Sequence, residues 1–216
     1  MSSSIIKDDT TLVDHTTSSR ACDALNKPVC LAHLSDIHVT ASSAWTKRDL
    51  FSKRITGWIN LKIFGRGFRF RNTNEILNAL MKDIKSQNLD SIVFSGDATA
   101  LGFEEEMAKA AELLGLNGPD RHPGLAVPGN HDYQTASCLE QNHFENHFSP
   151  WQQGERIGTH TYPFAQKIGN IWVVAVNSST PNRLPWDARG CVGSDQLQRL
   201  KMLFDKLDDS RRILVT

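Results

Sequence analysis

Three short stretches of this sequence put carboxylate, imidazole and amide side chains together: Asp36-Ile37-His38, Gly96-Asp97, and Gly129-Asn130-His131-Asp132. A turn by itself needs Pro and Gly, as in Val127-Pro128-Gly129, and has no use for three consecutive metal-capable side chains. Asp36 and His38 are separated by two, so an extended segment points both to one side, where a carboxylate and an imidazole grip one ion. Gly96 and Gly129 carry no side chain and let backbones crowd a metal centre. A bridging carboxylate flanked by nitrogen and amide-oxygen donors suits a pair of divalent cations such as Mn, Fe or Zn, and Asp97 is the sensible bridge. Two such ions about 3.5 to 4 Å apart clamp the attacking and leaving oxygens of an in-line displacement and bring bound water to a pKa of about 7.

Elements of regular structure have to carry these residues to one place. Five short apolar runs read as buried strands: 29–34 (VCLAHL), 91–95 (SIVFS), 124–127 (GLAV), 171–176 (IWVVAV) and 212–216 (RILVT). Between them, Ile76, Leu77, Leu80, Met81 and Ile84 recur at helical spacing, as do Phe103, Met107, Ala110 and Leu114 behind the acidic Glu104, Glu105 and Glu106. Leu197, Leu200, Phe204 and Leu207 predict a later helix with Ser194 as its cap, and residues 159–176 predict two strands joined at Gly169-Asn170. Alternating strand and helix give an α/β class without internal repeats. In such a sheet the loops leaving the carboxyl ends of neighbouring strands converge on one crevice, and each of the three stretches follows a predicted strand. Asn177 and Ser178 follow a strand in the same way.

D-x-H, then G-D, then G-N-H-D, each behind a strand, resembles the calcineurin-like metallophosphoesterase family from about residue 29 to the end. The helix, loop and strand before Asp97 resemble its cyclic-nucleotide-phosphodiesterase-like branch. The resemblance implies a four-layer α/β/β/α sandwich with two divalent metal ions at the sheet edge. It implies Asp36 and His38 on the first metal, Asp97 bridging, Asn130 on the second, and His131 as the catalytic residue that contacts the phosphate and helps the leaving oxygen depart. Asp132 would steady that imidazole or its loop. The implied function is metal-dependent hydrolysis of a phosphoester substrate, as phosphodiesterase or phosphomonoesterase. A non-catalytic interaction protein on the same scaffold is the alternative. The family pattern continues past a strand like 211–216 into a His-bearing loop and a later G-H-x-H, neither of which stands in this sequence. The expectation is therefore a fragment or truncated gene, with the fold incomplete at the C-terminus, the second metal left Asp97 and Asn130, and catalysis impaired.

The remaining sequence bounds the reading. In 216 residues, 24 Lys and Arg balance 24 Asp and Glu, so no overall field draws the chain to nucleic acid or an anionic membrane. No apolar run is long enough to span a bilayer and no secretory leader opens the chain, which predicts a cytoplasmic protein. Residues 1–27 are Ser, Thr and Asp rich and read as a disordered tail before a domain at 28–216. Cys22, Cys30, Cys138 and Cys191 are too scattered for a zinc knuckle or disulfide frame and read as reduced thiols. His143 and His147 stand one helical turn apart without an evident third ligand, and Glu145 is misplaced for a protease signature; they read as ordinary helix residues. His33 reads as a hydrogen-bonded core residue. Lys53, Arg54, Lys62, Arg66, Arg69 and Arg71 stand among aromatics in a pattern compatible with phosphate contact, although a solvated insertion with its aromatics packed down fits better.

Overall fold

The computed structural model describes residues 27–62 except 42 and 44, and 72–216 except 182, 183, 185 and 186. The expected tail, and Arg66, Arg69 and Arg71 of the basic segment, lie outside the described residues. In chain order the elements are β1 (Leu31–Leu34), α1 (Lys53–Lys62), α2 (Thr73–Ser86), β2 (Ser91–Phe94), α3 (Glu104–Leu113), β3 (Gly124–Ala126), α4 (Ala136–Glu140), α5 (His143–Phe148), β4 (Glu155–Arg156), β5 (Phe164–Ile168), β6 (Ile171–Ala175), α6 (Ser194–Lys206) and β7 (Arg211–Val215).

β2 is buried at every position, as its unbroken apolar run requires, and forms the centre of a parallel sheet ordered β1-β2-β3. The second sheet runs β4-β5-β6-β7; β5 and β6 pair antiparallel across the turn at Gly169-Asn170, and β7 lies parallel to β6. Successive strand residues face opposite sides, and the packing follows that alternation. Ile92, Phe94 and Ala126 face outward onto Leu77, Met81 and Ile84 of α2, Met107 and Ala110 of α3, and Phe144 and Phe148 of α5. Val93, Leu125 and Val127 face inward onto Phe164, Val173, Ala175 and Val215 of the second sheet. α6 closes the far side, with Leu203 and Leu207 against Ala165 and Val174. These are the four α/β/β/α layers.

Two local expectations need correction. Gly193 rather than Ser194 is the N-cap of α6, and no side chain caps it. The apolar stripes are also wider than the faces they bury: in α2 Leu77, Met81 and Ile84 are buried while Ile76 stays 62% exposed. Helical spacing identifies a stripe, and the neighbouring layer decides how much of it is covered.

Candidate metal centre

Beyond the last paired residues of β1 and β2, the two backbones continue side by side. Ser95 N–H donates to Leu34 C=O (3.0 Å), Asp36 N–H to Gly96 C=O (3.0 Å), His38 N–H to Asp97 C=O (3.1 Å) and Val39 N–H to Ala98 C=O (2.8 Å). Asp36 and His38 are not extended, as their spacing suggested. Asp36 (φ 55°), His38 (φ 43°) and Asp97 (φ 57°) all occupy the left-handed region. Each such residue costs the backbone about 1–3 kcal/mol, and it persists where surrounding bonds over-determine it, as the ladder above does. In this conformation His38 brings a ring nitrogen within 4.8 Å of an Asp97 oxygen, and Asp36 lines the same cleft as Asp97.

The third stretch docks by close backbone approach. A Cβ on Gly96 (φ 104°) would lie 2.3 Å from Gly129 N, and one on Gly129 would lie 2.1 Å from Asp97 Oδ1. Only two glycines let these loops touch. With them in contact, His131 N–H donates to Asp97 Oδ1 at 2.9 Å. Asp132, completely buried, accepts from Gly129 N–H (2.9 Å), Thr99 N–H (3.1 Å) and the Thr99 hydroxyl (3.1 Å), so it steadies the loop and not the imidazole. Burial, then the neighbouring Asp97 carboxylate, push Asp132 up to about 7.

The imidazoles are fixed in orientation. His38 Nδ1 donates to Thr99 C=O (3.2 Å) and His131 Nδ1 to Ala100 C=O (2.9 Å), which sets the orientation of each ring. Burial, and then His131 beside it, lower His38 below its ordinary 6.5 and favour its neutral form. The two rings meet edge to face with centroids 4.8 Å apart, and His38 Nε2 lies 3.7 Å from Asp36 Oδ1. Among the described residues, His38, Asp97 and His131 are the one set of three His, Cys, Asp or Glu side chains whose donor atoms all lie within 4.8 Å of one another. This mixed set of nitrogen and carboxylate donors fits a borderline divalent ion such as Mn, Fe or Zn. Alongside runs a cleft of about 260 Å³, lined by Asp36, Asp97 and Asn130 and also by Ser178, Ser179 and Arg189.

The family model described as Metallophos, calcineurin-like phosphoesterase, matches residues 31–211. The chain belongs to the calcineurin-like phosphoesterase family. Among solved structures, a dimetal phosphatase from Danio rerio is similar in fold, with a TM-score of 0.54 at 12% identity over 88% of this chain and 70% of that one. Comparison with curated protein sequences gave no match.

For this family member, the five residues singled out for the site, Asp36, His38, Asp97, Asn130 and His131, all come together. Ser178 lines the cleft as expected. Asn177 does not; its backbone exchanges hydrogen bonds with Gln196, and it lines a separate cavity with Tyr133 and Glu145. Ser179 and Arg189 were missed. Ser179 donates to Pro128 C=O at 2.8 Å and Arg189 pairs with Asp187 at 2.9 Å; the only signal was their position after β6. His33 bonds Ser95 at 2.8 Å but is exposed, a correction to its core reading, because it sits on an edge strand. Arg54 does not face solvent as a solvated insertion would have it: it is buried, pairs with Asp49 at 2.5 Å and donates to Leu101 and Gly102 carbonyls at 3.1 and 2.7 Å. Cys30, Cys138 and Cys191 are free thiols, and Cys22 lies outside the described residues.

Proposed function

We propose that this chain is a metal-dependent phosphoester hydrolase acting on a phosphodiester or phosphomonoester. The observation that carries the reading is the convergence of His38, Asp97 and His131 within 4.8 Å, beside a cleft that also presents Asp36 and Asn130. Asp36, His38, Asp97 and Asn130 would hold two divalent ions, of Mn, Fe or Zn type, with Asp97 between them. Such a pair supplies Lewis-acid charge stabilisation and a water that ionises near neutral pH.

The chain's own residues then do the rest. Thr99 C=O holds the His38 ring with Nε2 toward the carboxylates, so the ligand face needs no reorganisation. Asp97 Oδ1 is already bonded by His131 N–H, which fixes the carboxylate and brings the His131 ring beside it. His131, held by Ala100 C=O through Nδ1, faces the substrate with Nε2; protonated, that atom binds a phosphoryl oxygen or gives its proton to the departing alkoxide. Ser178, Ser179 and Arg189 in the same cleft suit the anionic phosphoryl group by hydrogen bond and charge.

The test is turnover of an aryl phosphodiester and an aryl phosphomonoester by the Mn-loaded protein, with bound metal counted by plasma emission. Asp97→Asn and His131→Ala each lower kcat/KM by a factor of about 100 or more, the scale of losing electrostatic or general-acid assistance. Unchanged turnover in both variants overturns the assignment. No bound metal together with no turnover supports the interaction role.

A further inference from the structure

We infer that Glu104, His143 and His147 form a second cation site, for one ion of the zinc class, outside the cleft. His143 and His147 lie one turn apart on α5 and so share a face. The third donor, absent from the local sequence, comes from the first turn of α3: Glu104 Oε2 stands 3.8 Å from His143 Nε2, and Glu104 Oε1 stands 3.6 Å from His147 Nε2. Two ligands about 2.0–2.1 Å from a tetrahedral ion are roughly 3.3 Å from each other, so these separations exceed a hydrogen bond but approach those of ligands on one metal.

The polar accounting points the same way. His147 Nε2, the atom that faces Glu104, is buried without a hydrogen-bond partner, and His143 is 8% exposed. A buried imidazole nitrogen facing a carboxylate without bonding to it is a costly arrangement that an ion between them would relieve. His143 Nε2 donates a hydrogen bond to Gln141 Oε1 at 2.6 Å, a bond and a proton that the ion would replace. Burial, against the pull of Glu104, lowers His143 below its ordinary value and keeps it a neutral donor at pH 7. Histidine, histidine and glutamate is a ligand set that zinc accepts. Glu145, between the two histidines, accepts a hydrogen bond from the Tyr133 hydroxyl. The site is a clamp between α3 and α5. Its donors stand more openly than those of the main centre, the only three among the described residues within 4.8 Å of one another, so closure takes a side-chain rotation of His143 or His147.

The experiment strips the protein with a chelator and counts zinc per chain after equilibrium dialysis, for wild type, the His143→Asn/His147→Asn double variant and Glu104→Gln. The double variant retains one zinc fewer than wild type and loses part of the zinc-induced rise in Tm. Its Mn-supported phosphodiester turnover stays within about two-fold of wild type. Glu104 is half exposed, so Glu104→Gln keeps the fold and weakens that zinc by tenfold or more. Equal zinc stoichiometry and affinity in Glu104→Gln and wild type overturns the inference. A His38→Ala/Asp97→Asn variant separates the two centres, because the clamp zinc remains when the cleft is disabled.

Discussion

Two clusters of histidine and carboxylate stand at opposite ends of one short segment. Asp97 opens the segment among three loops, and Glu104 closes it at the first turn of α3. At the Asp97 end the backbone is left-handed at three functional residues, two glycines touch, and the three donors lie within 4.8 Å. At the Glu104 end the three residues are themselves helical, with left-handed Asn142 (φ 51°) just before His143, and the imidazoles stand 3.6 and 3.8 Å from the carboxylate. Left-handed backbone falls on the site residues themselves in the cluster whose geometry is fixed in advance, and only on a neighbour, Asn142, in the one that must close. The difference teaches that the main centre depends on how its loops are tied, whereas the second depends on side-chain torsions alone.

Three variants break or sharpen that contrast. The largest expected effect is Arg54→Ala. It removes the cation that binds the Leu101 and Gly102 carbonyls and leaves Asp49 buried without its charge, at a cost of about 3–5 kcal/mol. Because Arg54 grips the segment between both clusters, chemical denaturation records the loss and metal retention falls at both ends. If only one centre weakens, the segment is not a common tie. Next is Gly129→Ala, whose methyl would meet Asp97 Oδ1 and the Asp97 backbone. It costs about 3 kcal/mol by overpacking, and a displacement near 1 Å lowers turnover by about 100-fold. Zinc at Glu104 is untouched by it, and a parallel loss there would erase the distinction drawn above.

The smallest effect is pH-dependent. Glu106 is buried in α3, where it accepts from Leu101 and Phe103 N–H at 2.8 and 3.3 Å, and burial raises it from 4.5 to about 7. The folded state therefore keeps a proton that the unfolded state releases. Stability is undiminished below about pH 4.5, falls as pH rises, and is lower by at most on the order of 3 kcal/mol above about pH 7. Glu106→Gln retains an acceptor without the charge and flattens this slope between denaturation curves at pH 5 and pH 8. An identical slope in the variant would assign the dependence elsewhere, Asp132 first.

Much of the molecule was legible in the chain. The apolar runs located β1, β2, β3, β6 and β7 to within a few residues, and order plus residue type singled out Asp36, His38, Asp97, Asn130 and His131, which the structure places around one cleft. The reason offered for Asp36 and His38 was wrong, since period-two alternation does not apply to left-handed residues. Ser179 and Arg189 were not legible because their place in the cleft follows from packing across the sandwich, which leaves no local pattern.

By itself the sequence determined which residue types could do metal chemistry and behind which strands they stand, because hydrophobic period and turn chemistry are local properties. Only the tertiary structure decided which distant groups meet: Gly96 against Gly129, Arg54 beneath Leu101 and Gly102, and Glu104 opposite His143 and His147. Those contacts depend on how layers pack and on which polar groups must be satisfied once water is excluded, and no segment encodes that alone.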